Sequence, residues 1–509
     1  MNPMSGLDAA LLHLETAHTP MHFACLCLFD LDGGDTERFH AQAKRELRRR
    51  LHLAPVLHRR LAPVPLDLAN PVWIVDDTVD LEHHVQRITL PAPGNLTQLE
   101  DCAATLHRER LDRSRPLWQV FVIDGLGDGQ IGYYFKVHHA ALDGQAAMLL
   151  MKTLFDPTPS PRPVARPRTL PAAAPPPATL ALVAAAVGHD ARKLVDLVRD
   201  LPATVRTISS VVEASRDKRR GRLGESFVIG PPTALNTPID AERSYARVSL
   251  PMPALRELAA TLGATLNDIV LALCSGALRR YLARHGGVPR KPLIAGMPMS
   301  LREAEQNDYT NRTTMPPVSL QTHIADPLRR LRAIQAAAQA VKTAIRQARD
   351  VVPLDMPSLG APWLVRGLAR LYRPTQPDER KPPIFNVLIS NVQGPDMPLY
   401  LAGARLRSCW PLSIVEQCLG LNITVLSHAG DMGFGFTAAR AAVPDARELT
   451  QTLIDAFDEL MAAATRTGAL PARGTRRIAL SAAIAPDADA TGGSAASDEA
   501  ARTIAPSDA

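Results

Sequence analysis

Two adjacent histidines, an aspartate and a glycine carry the strongest chemical signal in this chain: His138, His139, Asp143 and Gly144, within YYFKVHHAALDG. Imidazole titrates near neutrality, so a histidine held at a rigid strand end is a natural general base. Tyr133, Tyr134, Phe135 and Val137 are aromatic or β-branched, which predicts a short buried strand running into a turn. Side chains alternate along a strand, so His138 and His139 aim apart, one at a site and the other into the core. The same divergence argues against a metal held by His138, His139 and Asp143, and no further ligand cluster stands at a recognised spacing. Gly144 is expected to supply a backbone conformation that only glycine adopts cheaply. Gln145 to Leu154, apolar and rich in helix formers, is predicted as the following helix. A second pair, His83 and His84, lies in polar LEHHVQR without a following Asp-Gly and is assigned no role.

The elements that must position these residues are legible on both sides. LDAALLHLE predicts a short amphipathic helix, His22 to Phe29 a strand, and Phe39 to Leu51 and Thr97 to Leu111 two helices. Trp118 to Ile123 predicts a strand that the histidine strand joins antiparallel across GLGDGQ. From Asp156 to about Leu180 the composition turns to proline, alanine and arginine, as in an inter-domain linker. Ala181 to Arg222 is predicted helical and basic, Arg192 to Arg222 being either a solvated face or a contact for a membrane surface or partner. A second folded half begins near Arg243: a strand in SYARVSLPM, helices over Pro253 to Leu262 and from Asn267 to Gly286, a strand in PLIAGMPMS and a helix over Pro327 to Asp350. FNVLISNVQGP and LNITVLSHAGDMGFGFTAA supply further strands, and Pro444 to Ala463 a closing helix. The expected organisation is therefore residues 1–155, a linker and basic segment over 156–239, residues 240–465, and a disordered tail over 466–509.

Composition narrows the function classes. With 509 residues, 46% of them hydrophobic, the chain can bury large cores. Its formal charge of +6 is scattered and aromatics make up only 4%, which gives no footprint for nucleic acid. The six cysteines, Cys25, Cys27, Cys102, Cys274, Cys409 and Cys418, lack CxxC or disulfide-scaffold spacing and read as buried thiols of a reducing compartment. The acidic N-terminus does not read as a secretory signal, and no stretch approaches the ~20 apolar residues of a spanning helix. A cytoplasmic protein is expected, with attachment to a membrane surface left open.

Taken together these segments closely resemble the bacterial wax ester synthase/diacylglycerol acyltransferase family, a branch of the CoA-dependent acyltransferases. The family's HHxxxDG is matched by His138, His139, Asp143 and Gly144, its PLW by Pro116, Leu117 and Trp118, and its ND by Asn267 and Asp268. LDAALLHLETAHTPMH, SNVQGP (Ser390 to Pro395) and LGLNI (Leu419 to Ile423) resemble further family segments, in order, over roughly Leu7 to Ala463. Gln393 stands where the family usually has proline, and LREAEQNDYTNRTT has Thr310-Asn311 where a glycine-asparagine pair is expected.

The resemblance implies two α/β sandwich domains like chloramphenicol acetyltransferase. It also implies transfer of a long acyl group from acyl-CoA, as co-substrate and without other cofactor, to a fatty alcohol or diacylglycerol. His139 would be the base, His138 a supporting residue, Asp143 a structural residue paired with an arginine that the sequence does not identify, and Gly144 the motif turn. Asn267 would orient substrate or help an oxyanion, or else merely cap its helix. A lipid-droplet or inner-membrane surface is the implied setting. Two rivals stand beside this reading: a condensation-type enzyme using carrier-bound thioesters, for which the chain has no attached carrier module, and an idle lipid-binding homologue, for which the histidine motif would be eroded.

Overall fold

The structure, a computed structural model, describes residues 2–31, 35–62, 70–76, 78–127, 129–165, 229–300, 313–348 and 383–466. The basic segment Arg192 to Arg222, the tail beyond residue 466 and most of LREAEQNDYTNRTT lie outside the described residues. Runs of alternating or continuous apolar residues form the strands of two six-stranded sheets. The early strands are His22–Asp30 (β1), Val85–Thr89 (β2), Trp118–Asp124 (β3) and Gln130–His138 (β4). Beyond the proline-rich stretch come Arg243–Pro251 (β5), Ile294–Gly296 (β6), Pro317–Ser319 (β7) and Val387–Val392 (β8). Tyr400–Leu401 (β9), Ala404–Leu412 (β10), Leu421–His428 (β11) and Asp431–Ala439 (β12) complete the set.

The sheet carrying the histidines has the order β9-β10-β1-β4-β3-β2, and the other β7-β6-β8-β11-β12-β5. β1 pairs antiparallel with β4 along its whole length, His22 opposite His138 and Asp30 opposite Gln130. Both faces of β1 are covered. Ala24, Leu26 and Leu28 enter one apolar cluster, while Phe23, Cys25, Cys27 and Phe29 enter or pack on another. Contiguous halves do not each own a sheet, because β9 and β10, from the later half, form the edge of the histidine sheet: Cys409 lies opposite Cys27 and Leu412 opposite Ala24. The strand β12 then crosses close over β10. A Cβ on Gly433 would lie 2.6 Å from the Cys409 carbonyl oxygen, and one on Gly435 1.8 Å from that of Pro411, so only glycine fits at either position.

The helices longer than one turn among the described residues are Gly6–Leu14 (α1), Thr36–Arg50 (α2), Leu96–Arg108 (α3), Gly144–Leu154 (α4), Met252–Thr261 (α5), Leu266–Arg284 (α6), Pro327–Ala348 (α7) and Arg447–Arg466 (α8). Their starts follow from side-chain caps: Asn95 with Gln98 at α3 and Thr265 with Asp268 at α6 form reciprocal capping boxes. No single helix among the described residues is long and apolar enough to cross a membrane. The bent pair α5 and α6, at 101°, meets the length and composition. α6 is buried without interruption from Asp268 to Leu278, so its apolar surface belongs to the core.

Candidate active site

The backbone around the two histidines is tied down by family segments from elsewhere in the chain. The His138 N–H donates to the Leu117 carbonyl at 3.0 Å, and the His139 N–H to the Met21 carbonyl at 2.8 Å. Leu117 belongs to the PLW element and Met21 to the opening segment, so both act on the histidines through main-chain bonds. Trp118, fully buried, fixes the PLW element by donating Nε1–H to the Leu57 carbonyl at 2.9 Å. His84 stacks on the Trp118 ring at 4.2 Å, its Nδ1 lying 2.8 Å from the Trp118 carbonyl oxygen. The histidine assigned no role is thus a buried brace of the site. LEHHVQR concealed it because the one-turn helix Leu81–His84 turns only His84 inward.

His138 is fully buried, and its Nδ1 accepts from the Ala140 N–H at 3.1 Å. That bond assigns the ring proton to Nε2, which points to Glu15 Oε1 at 3.5 Å. Sequence reasoning missed Glu15 and its partner Arg113, although both stand in the segments that carry the resemblance. Glu15 Oε1 accepts from the Met21 N–H at 3.1 Å, while Oε2 accepts from Arg113 Nε and Nη2 at 3.0 and 2.7 Å. Arg113 also donates to the Leu12 carbonyl at 2.6 Å. Burial alone would raise the Glu15 pKa, but the His138 ring, the Arg113 guanidinium and the Met21 N–H bring it to about 2. One carboxylate therefore supports His138 through its ring and His139 through Met21.

The His139 ring is half-buried and meets the Phe23 ring edge-on, centroids 5.4 Å apart. Burial lowers its pKa, the nearby Asp143 charge opposing the shift, so the imidazole is in its base form at neutral pH. The two histidines have separate neighbours, as strand alternation requires. Asp143 is buried and caps α4, its Oδ1 accepting from the Ala146 N–H at 2.9 Å. Gly144 does not adopt the left-handed backbone expected of it. A Cβ there would lie 3.4 Å from Val392 Cγ2 at the end of β8, in ordinary van der Waals contact.

That contact joins the two motifs. Asn391, the residue before Val392, donates from Nδ2 to Asn267 Oδ1 at 3.4 Å, and Asn267 Nδ2 lies 3.9 Å from Met297 Sδ. The helix cap is Thr265, closed by Asp268, which leaves Asn267 in the first turn beside β8. HHxxxDG and ND thus meet on either side of Asn391 and Val392, within SNVQGP. Gln393 is exposed, and the adjoining Gly394 N–H donates to Ser427 Oγ at 3.1 Å.

Comparison with known proteins places both motifs within one family model. The model described as the wax ester synthase/diacylglycerol acyltransferase catalytic domain matches residues 4–270, and the C-terminal domain of that family matches 309–461. The chain belongs to the wax ester synthase/diacylglycerol acyltransferase family. A Mycobacterium tuberculosis relative, provisionally named a diacylglycerol O-acyltransferase, is 36% identical over 489 residues, covering 94% of each chain. The wax ester synthase/diacylglycerol acyltransferase of Marinobacter aquaeolei VT8 superposes with a TM-score of 0.65 at 28% identity, over 91% of this chain and 100% of that one. The first condensation domain of the calcium-dependent antibiotic synthetase shares the fold, with a TM-score of 0.53 at 15% identity over 91% of this chain and 96% of its own. As a wax ester synthase/diacylglycerol acyltransferase family member, the protein is an acyl-CoA-dependent O-acyltransferase with the two-domain fold of these acyltransferases.

Proposed function

We propose that His139 is the general base of this transfer and that the acceptor is a fatty alcohol or diacylglycerol. The acceptor hydroxyl gives its proton to His139 as its oxygen attacks the thioester carbonyl of a long-chain acyl-CoA. The tetrahedral intermediate expels the CoA thiolate, which takes the proton back from the imidazolium. No acyl-enzyme forms, and acyl-CoA is a co-substrate rather than a cofactor. The observation that carries this reading is the half-buried His139 ring in its base form, on a backbone held by Met21 and Leu117. Asn267, beside the histidine loop through Val392 and Asn391, is the proposed substrate or oxyanion contact. Purified protein given palmitoyl-CoA with hexadecanol, and separately with diacylglycerol, should release CoA and form the ester with at least one acceptor. Absence of ester with both would sink the assignment.

The apolar substrates and products support attachment to the cytoplasmic face of a membrane or to lipid inclusions, through the basic run Arg192 to Arg222. Neutralising Arg216, Lys218, Arg219 and Arg220 together should weaken sedimentation with anionic vesicles. Unchanged sedimentation would remove this run as the anchor.

A further inference from the structure

Two cysteines of β1 and one from far along the chain meet on one face of the histidine sheet. Cys25 and Cys27 alternate along β1 with Phe23, whose ring touches His139, and Cys409 lies opposite Cys27 on β10. All three are free thiols. Their sulfurs are 2.7 Å apart for Cys25 and Cys409, 3.4 Å for Cys27 and Cys409, and 4.0 Å for Cys25 and Cys27. Cys102, Cys274 and Cys418 stand outside this group. Non-bonded heavy atoms prefer separations of about 3.5–4.0 Å, so the protonated Cys25 and Cys409 thiols crowd one another here. A thiophilic ion about 2.3 Å from each sulfur would hold them roughly 4 Å apart. Side-chain rotation supplies that adjustment, since the strands are already in register.

We infer that Cys25, Cys27 and Cys409 form a site for one soft d10 cation of the Cu(I) type, bound as a trithiolate. Soft sulfur ligands select such ions, and three of them complete a trigonal coordination without a further donor. On binding, the ion's charge releases the thiol protons to solvent. The cation keeps its oxidation state, and no electrons are exchanged. Beside Cys25 lies His428, buried at 5% exposure near the Leu406 and Pro395 backbone but with neither ring nitrogen in full hydrogen-bonding geometry. A buried imidazole so weakly committed, next to one of the three sulfurs, is a second sign of a ligand-binding locus. The bound ion would tie β1 to β10, and so the early part of the chain to its later part.

The test uses the full chain, reduced and stripped with chelator, titrated anaerobically with Cu(I) as its acetonitrile complex. The expected result is about one ion retained per chain after gel filtration, with ultraviolet thiolate-to-metal absorption. Cys25, Cys27 and Cys409 should be protected from alkylation, and the thermal midpoint should rise by several degrees. Cys409→Ser should lose all four signals, while Cys102→Ser and Cys274→Ser keep them. Should Cys409→Ser fail to fold, Cys25→Ser, at a half-buried position, serves the same comparison. No retained ion, or equal retention by Cys409→Ser and Cys25→Ser, overturns the site. None of these readouts depends on acyl transfer, so they stand apart from the reading of His139.

Discussion

His139 and Glu15 divide the work of the site between chemistry and support. General-base catalysis supplies roughly 10²–10⁴ in rate, so His139→Ala should lose about that in turnover while keeping its thermal midpoint. His138→Ala should chiefly lower the midpoint, because it removes a fully buried ring bonded to the Ala140 N–H. The two variants are compared at matched folded concentration, and near-normal turnover in folded His139→Ala would reverse the roles. With its pKa held below the ordinary 6.5, His139 stays a base further into acid, so the acid limb of kcat/KM against pH should fall at an apparent value under 6.5. Glu15 is held at about 2 against an ordinary 4.5. Its stabilisation is complete above about pH 4.5 and is lost as pH falls towards 2. The shift corresponds to roughly 3 kcal/mol. Glu15→Gln should lose a large part of that in urea unfolding at pH 7, with a smaller deficit at pH 3. An equal deficit at both pH values would mean that the charge is not what stabilises.

Among the elements, β10 and β12 make a demanding contact. A Cβ at residue 435 would overlap the Pro411 carbonyl, a backbone atom that cannot rotate away. Gly435→Ala should therefore cost more than the ~1–3 kcal/mol of ordinary overpacking, read as lost soluble yield or a lower melting point. Gly127→Ala is the control, because a Cβ there meets nothing within 4 Å, and its stability should change by no more than about 0.5 kcal/mol. Equal behaviour of the two variants would mean that the strands can move apart. The same packing explains how a strand from the later half stays on the edge of the early sheet. The ladder of β10 with β1 holds one side, and β12 covers its face.

At the scale of the molecule, ion pairs between distant segments complete the assembly. Arg50 on α2, fully buried, donates from Nη2 to both Asp156 oxygens at 2.9 and 2.7 Å and from Nη1 to the Leu154 carbonyl at 2.9 Å. Asp156 exchanges two backbone bonds of 2.8 Å with Tyr400 on β9, so one residue joins α2, the end of α4 and the returning strand. Asp156→Ala would leave the buried Arg50 guanidinium with Glu46 at 3.3 Å as its remaining carboxylate, at a cost of up to about 3–5 kcal/mol, measurable by thermal or urea unfolding. A change below 1 kcal/mol would show that Arg50 reaches water or another acceptor. Arg447 at the head of α8 forms the matching link to α3, with Glu100 at 3.0 Å and Asp101 at 2.6 Å.

Local chemistry and periodicity by themselves determine much of this protein. The strand and turn of YYFKVHHAALDG follow from β-branched and aromatic residues, and the α6 cap from Thr265 and Asp268. The divergence of His138 and His139 follows from the pleat itself. These features are written in residues within a few positions of one another. Glu15, Arg113 and His84 stay hidden because a charged or imidazole side chain reads the same in sequence whether it braces a buried backbone or meets water. Gly144 misleads because a glycine that merely opens a helix looks in sequence like one needed for a turn. The edge strand β10 and the cysteine cluster lie beyond reach, since Cys27 and Cys409 are 382 residues apart and no local pattern specifies which sheet a returning strand will join. Only the tertiary fold decides that, through the pairing of β10 with β1, the glycine crossing by β12 and the buried Arg50 and Asp156 pair.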